Sequence, residues 1–234
     1  KTEMAEQGTY VTFPSANKAG PGCGMLFGDP KICPLGLIVI HEWWGMNDQI
    51  KTEGAMMAKD GNFTVLVPDY YRGKVADDRE EAGHLMAGLD WSGALLDTSA
   101  AAEFLKQKGC SEVGVTGFCL GGALSFAAAV KCPQIKASVP FYGIPSPEVA
   151  DLSKIQIPIQ AHFAEKDEFV GFSAPVDYEP LREKLVAAGV KLEFYTYNVS
   201  HAFTNHAGPN YDAEATKLSF SRVYAFMKKN LKNE

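Results

Sequence analysis

One cysteine, Cys119, stands among glycines in the stretch Gly117-Phe118-Cys119-Leu120-Gly121-Gly122, after the apolar run 113–115 and before an alanine-rich segment. A thiol attacks as its thiolate, and the first turn of a helix favours that charge through its free N–H groups and macrodipole. A strand turning abruptly into a helix at Cys119 holds that residue at strained backbone angles and requires small neighbours, which Gly117, Gly121 and Gly122 supply. Taken alone, the pattern also fits a buried cysteine in an ordinary glycine-rich turn, or a phosphate-cradling loop. A nucleophilic thiol needs a base, and the base needs an orienting acceptor. Ala164-Glu165-Lys166-Asp167 offers Asp167 as the expected acid, with Glu165 as its alternative. Asn198-Val199-Ser200-His201-Ala202-Phe203 offers His201 as the expected base, with His206 as its competitor, while His41, His84 and His162 read as ordinary hydrogen-bonding residues. In His41-Glu42-Trp43-Trp44-Gly45 an acid lies beside two tryptophans, a costly placement without a partner, and a thiol or an arginine is the expected one.

These residues need elements to position them. Short β-prone runs fall at 10–13, 23–27, 36–40, 63–67, 113–116, 137–141, 157–163 and 192–197. From the third onward they are nearly continuous apolar runs, as expected of parallel strands covered on both faces. Helices are expected at 48–59, 78–89, 92–108, 120–131, 176–188 and 213–231; in the last, Phe220, Tyr224, Met227 and Leu231 mark one face for burial. Alternation of strand and helix means an α/β sheet, with the two N-terminal runs as an antiparallel edge joined through the turn-rich stretch 15–24. Cys119 then ends the fifth strand, Asp167 the seventh and His201 the eighth. That is the chain order of an α/β-hydrolase, whose oxyanion donors are the N–H of the residue after the nucleophile and one from the loop after the third strand. Here those are Leu120 and Trp43.

The whole chain bounds the setting. Its 234 residues suit one large domain, spanning 1–234, without repeat or linker. A net charge of −6 argues against nucleic acid or an acidic membrane surface as a partner and leaves small molecules. No apolar run approaches the roughly 20 residues that span a bilayer. Five cysteines, an odd number without tight spacing, fit neither a disulfide framework nor a zinc site, and a reducing, cytoplasmic setting is expected. The first residue is Lys1, which leaves a longer precursor open.

The motifs HEWWG with Glu42, PDYYRG with Arg72, GFCLGG with Cys119, FYG with Tyr142, EKD with Asp167 and SHAF with His201 together resemble the dienelactone hydrolases, the carboxymethylenebutenolidases, over nearly the whole chain. The resemblance implies a mostly parallel eight-stranded α/β-hydrolase core flanked by helices and lacking a large lid. It implies a Cys-His-Asp triad, and a Glu42 that holds the resting thiol and helps deprotonate it. It implies hydrolysis of a small ester or lactone through a thioester, with no metal or organic cofactor, in a monomer or weak dimer. Substrate contacts are expected from Arg72, Trp44, Tyr142, Phe203 and Asn205. The family grips a substrate carboxylate with two arginines, the first matched here to Arg72, whereas Asn205 stands at the place of the second. A thioesterase or general carboxylesterase, a non-catalytic binding protein, and a thiol redox sensor are the alternatives; a sensor would want a resolving cysteine near Cys119, and neither Cys110 nor Cys132 is obviously placed for that.

Overall fold

Over residues 8–232, which the computed structural model describes, the alternating apolar and amphipathic runs become eight strands and six helices. Their order is β1 (Thr9–Phe13), β2 (Gly22–Phe27), β3 (Leu35–Ile40), α1 (Asp48–Gly61), β4 (Thr64–Pro68), α2 (Arg79–Ala87), α3 (Trp91–Lys108), β5 (Glu112–Phe118), α4 (Leu120–Lys131), β6 (Ile135–Phe141), β7 (Ile159–Ala164), α5 (Pro175–Ala187), β8 (Leu192–Tyr197) and α6 (Ala213–Asn230). One 3-10 turn, Leu152–Lys154, follows β6 and was not expected. Side-chain caps open several helices as their sequences suggest: Asn47 accepts from Ile50 N–H, Asp78 from Glu81 N–H and Asp212 from Ala215 N–H.

The strands form one sheet in the order β1-β2-β4-β3-β5-β6-β7-β8. β2 pairs antiparallel with both β1 and β4, and the remaining pairs are parallel, so β2 alone opposes the other strands. The hairpin link is shorter than the turn-rich stretch, because Gly22 to Gly24 already pair in β2. Apolar side chains of β3, β4 and β5 are buried, whereas the edge strand β8 is mostly half-buried. Helices cover both faces. Gly114 of β5 lies under Met227 and Leu231, and Gly117, three residues on and therefore facing the other way, lies under Gly121 of α4.

This register decides where the site forms. Ile40 of β3 is level with Gly117 of β5, Phe118 with Phe141 of β6, and Ala164 of β7 with Tyr197 of β8. The loops leaving β3, β5, β7 and β8 therefore emerge at one edge of the sheet, the carboxyl edge where open α/β sheets bind ligands. No helix among the described residues is long and apolar enough to cross a membrane.

Candidate active site

Cys119 joins β5 to α4 with φ 55° and ψ −114°, a conformation that L-residues avoid. Its surroundings over-determine it. The Cys119 N–H donates to Phe141 O at 3.1 Å, and its carbonyl accepts from Ala123 N–H at 3.1 Å. A Cβ at Gly121 would collide with the backbone of Ile40, and one at Gly122 with that of Phe141, so only glycine lets α4 approach both neighbouring strands. The thiol residue stays at the surface of this packing, 8% exposed. Leu120 opens α4, so its N–H belongs to the first turn, where intrahelical acceptors are missing.

The loops after β7 and β8 are tied together by Glu165 N–H to Tyr197 O at 2.8 Å and Lys166 N–H to Val199 O at 3.0 Å. They bring Asp167 Oδ2 within 2.7 Å of His201 Nδ1, while Asp167 Oδ1 accepts from Phe169 N–H at 3.0 Å. Ser173 Oγ lies 3.2 Å from the same ring nitrogen. Cys119 shares the cavity with His201 and acts on the imidazole. Burial opposes a charge on His201, but the bonds to Asp167 and Cys119 and the charges of both outweigh it and raise the imidazole to about 10. The structure thus brings Asp167, His201 and Cys119 together at one place. Of their competitors, Glu165 accepts from Thr196 Oγ1 in an exposed contact, and His206 is exposed and does not line the cavity. His41 and His162 are buried and hydrogen-bonded, and burial pushes both below the usual histidine range.

Glu42 is 3% exposed, and burial raises its carboxyl above the usual range. Its partner is neither a thiol nor an arginine. Asn205 Nδ2 donates to Oε2 at 2.7 Å, and Tyr142 Oη reaches Oε1 at 3.5 Å. Its hydrogen bonds thus go to Asn205 and Tyr142 rather than to the thiol that the resemblance implied. A second buried acid, Glu53 of α1, lies near Glu42, and burial above all holds the Tyr142 hydroxyl beside them high. Gln49 is close but does not complete a hydrogen bond, and neither Glu53 oxygen has a partner. Desolvation holds Glu53 well above the usual carboxylate range.

A cavity of about 320 Å³ opens onto Cys119 and His201. Trp43, Trp44 and Asn205 line it, together with Met86, Phe169, Val170 and Phe172, which sequence reasoning missed. Three expected substrate contacts need correction. Arg72 lies outside the cavity, because its guanidinium is held by the buried Asp97 at 2.8 and 3.1 Å and by Asp69 O and Gly20 O. Tyr142 is fully buried behind the cavity, its hydroxyl spent on Thr204 and Glu42. Phe203 is likewise fully buried, packed on Tyr142 and Tyr197. The cation on the cavity wall besides His201 is Arg79, the first residue of α2. The only local signal for it is its place just after the helix-capping Asp78. Among the described residues no group of three or more His, Cys, Asp and Glu is placed to hold a metal ion.

The dienelactone hydrolase family model matches residues 24–231. Protein usf of Aquifex pyrophilus is 38% identical over 216 residues, covering 86% of this chain and 91% of that protein. Carboxymethylenebutenolidase 1 of Cupriavidus pinatubonensis is 27% identical over 233 residues, covering 94% and 95%. Among solved structures, the dienelactone hydrolase-like promiscuous phosphotriesterase P91 from metagenomic libraries superposes with a TM-score of 0.80 at 22% identity, over 95% of this chain and 98% of that one. At that identity the likeness speaks for the fold, an α/β-hydrolase. The chain belongs to the dienelactone hydrolase family, hydrolases of carboxylic ester bonds.

Proposed function

We propose that this dienelactone hydrolase family member cleaves small esters or lactones by passing the acyl group through a thioester on Cys119. The observation that carries the reading is the line Asp167–His201–Cys119, with its base raised to about 10. With its proton affinity raised so far, His201 is a proton donor in place beside the nucleophile. The thiolate adds its electron pair to the substrate carbonyl carbon, and the carbonyl π electrons move to oxygen, facing the N–H groups of Leu120 and Trp43. Collapse breaks the acyl–oxygen bond, and His201 gives its proton to the leaving oxygen, which in a lactone stays tethered to the acyl group. Neutral His201 then takes a proton from water as the water attacks the thioester, and collapse returns the thiolate. Asp167 orients the imidazole and supports its charge throughout. The described residues, 8–232, act as one domain around one sheet.

Glu42, its proton affinity raised by burial and its position fixed by Asn205, accepts the thiol proton whenever Sγ turns away from His201. Arg79 is the anchor for a substrate carboxylate, and Trp43, Trp44 and Asn205 shape the remaining wall. With one arginine on the wall, the preferred substrates are neutral or singly charged esters and lactones. Replacing Cys119 by Ala should abolish hydrolysis across a panel of short esters, thioesters and lactones while leaving the melting temperature nearly unchanged. Full turnover in that variant would sink the proposal.

A further inference from the structure

A larger hollow, of about 810 Å³, runs beside the catalytic cavity between the segment after β6 and helix α5. Met86 and Phe172 belong to the walls of both, so the two spaces adjoin across those side chains. The hollow starts close to the reacting thiol. Phe172 lies 6.4 Å from the His201 ring, and Ile144 follows Gly143, which packs against the Cys119 carbonyl. Ile144 N–H donates to Phe172 O at 3.0 Å and pins the shared wall.

The lining says what fits. Trp91, Ile144, Val149, Leu152 and Leu181 give an apolar floor. The charged residues around it are mostly committed: Asp177 accepts from the N–H groups of Gly171 and Ala174 at 2.8 and 3.2 Å, and Lys184 pairs with Asp151 at 3.3 Å. Glu148 adds negative charge at the rim and disfavours an anionic occupant. The catalytic cavity, near the lower end of small-molecule sites at about 320 Å³, cannot itself enclose a long chain. We propose that the hollow is an acyl-chain groove, and that this enzyme takes neutral esters whose unbranched acyl chain of about six to ten carbons passes Met86 and Phe172 to lie on Val149 and Leu181. The inference rests on the proposed esterase reading.

The test compares p-nitrophenyl acetate, butyrate and octanoate in wild type, in Val149→Trp, which fills the groove, and in Val176→Asp, which puts a charge at its rim. Val176 is exposed in the first turn of α5, where an acid suits the helix. Burial of four further methylenes predicts kcat/KM for octanoate at least tenfold above butyrate in wild type. Both variants should lose most of that gain and keep acetate turnover within about twofold. Titration of Cys119→Ala protein with the same esters supplies a readout free of turnover: octanoate should bind at least tenfold tighter than butyrate, and Val149→Trp should remove the difference. Equal binding of both chains overturns the groove even in an active enzyme. Chain-length-dependent binding without turnover overturns the esterase reading and keeps the groove. A concentration-dependent dimer dissolved by Val149→Trp, with flat chain-length dependence, would assign the surface to a second copy and overturn the proposal.

Discussion

The two arginines near β4 offer a sharp division of labour between stability and specificity. Arg79 is an exposed cation on the cavity wall, and Arg72 is a clamp on the buried Asp97. A bond from Arg79 to a substrate carboxylate is charge-assisted, worth roughly 1.5–3 kcal/mol when shielded from solvent, and exposure lowers that to about 1–2 kcal/mol. Arg79→Gln should therefore reduce kcat/KM for an anionic dienelactone about five- to thirtyfold and for its neutral methyl ester less than twofold. Arg72→Gln acts elsewhere. Asp97 is 2% exposed and would lose its cation, but it keeps hydrogen bonds from Ser15 at 2.6 Å and Asn17 at 2.9 Å. Those remaining donors place the cost at about 1–3 kcal/mol, below a buried pair broken outright, and the melting temperature should fall by about 3–10 °C. Steady-state kinetics on both substrates, with thermal melts of all three proteins, decide it. A selective loss on the anion in Arg72→Gln, or an equal loss on both substrates in Arg79→Gln, would refute the assignment.

His201→Gln should lower turnover by about a thousandfold or more, and His206→Gln should change it little, as kinetics on a short ester would show. Because the folded state raises His201 from 6.5 to about 10, its contribution to stability is fully present below pH 6.5 and fades as pH rises through 10, so the melting-temperature gap between wild type and His201→Gln should shrink over that interval. Glu42→Gln should slow turnover and alter the pH dependence of Cys119 alkylation by iodoacetamide; matching wild-type profiles would make Glu42 structural only. Burial keeps Glu53 protonated in the folded state above the pH at which the unfolded chain releases that proton, so stability drains away as pH rises above about 4.5. Glu53→Gln should melt about 2 °C or more above wild type at pH 8 and close to it at pH 4.5, and a lower melting point at pH 8 would show that the carboxylate has a partner.

What could be read from the sequence was what is local. Cys119, Asp167 and His201 each follow an apolar run that becomes a strand, and parallel strands deliver the ends of such runs to one edge, so their nearness in space was legible from order along the chain. The span 120–131 matched α4 and the span 192–197 matched β8, because glycines or turn formers bound both. The misplaced contacts turned on side-chain direction, which depends on partners far along the chain. Arg72 has φ 53° and meets Asp97 in α3, so the arginine nearer the strand end turns away from the cavity while the one in α2 faces it. Tyr142, at φ 33°, and Phe203 sit beside catalytic-looking neighbours yet point into the core. The Asn205–Glu42 bond spans most of the chain, and no spacing rule links those two positions.

The claim that Cys119 carries the acyl group is most directly tested by mass spectrometry of protein quenched in acid during turnover of a slowly hydrolysed ester. The account predicts a rise equal to the acyl group, located on the peptide containing Cys119, absent from Cys119→Ala and reversed on further incubation. An acyl adduct on another residue, or rapid turnover with no adduct and full activity in Cys119→Ala, would contradict it.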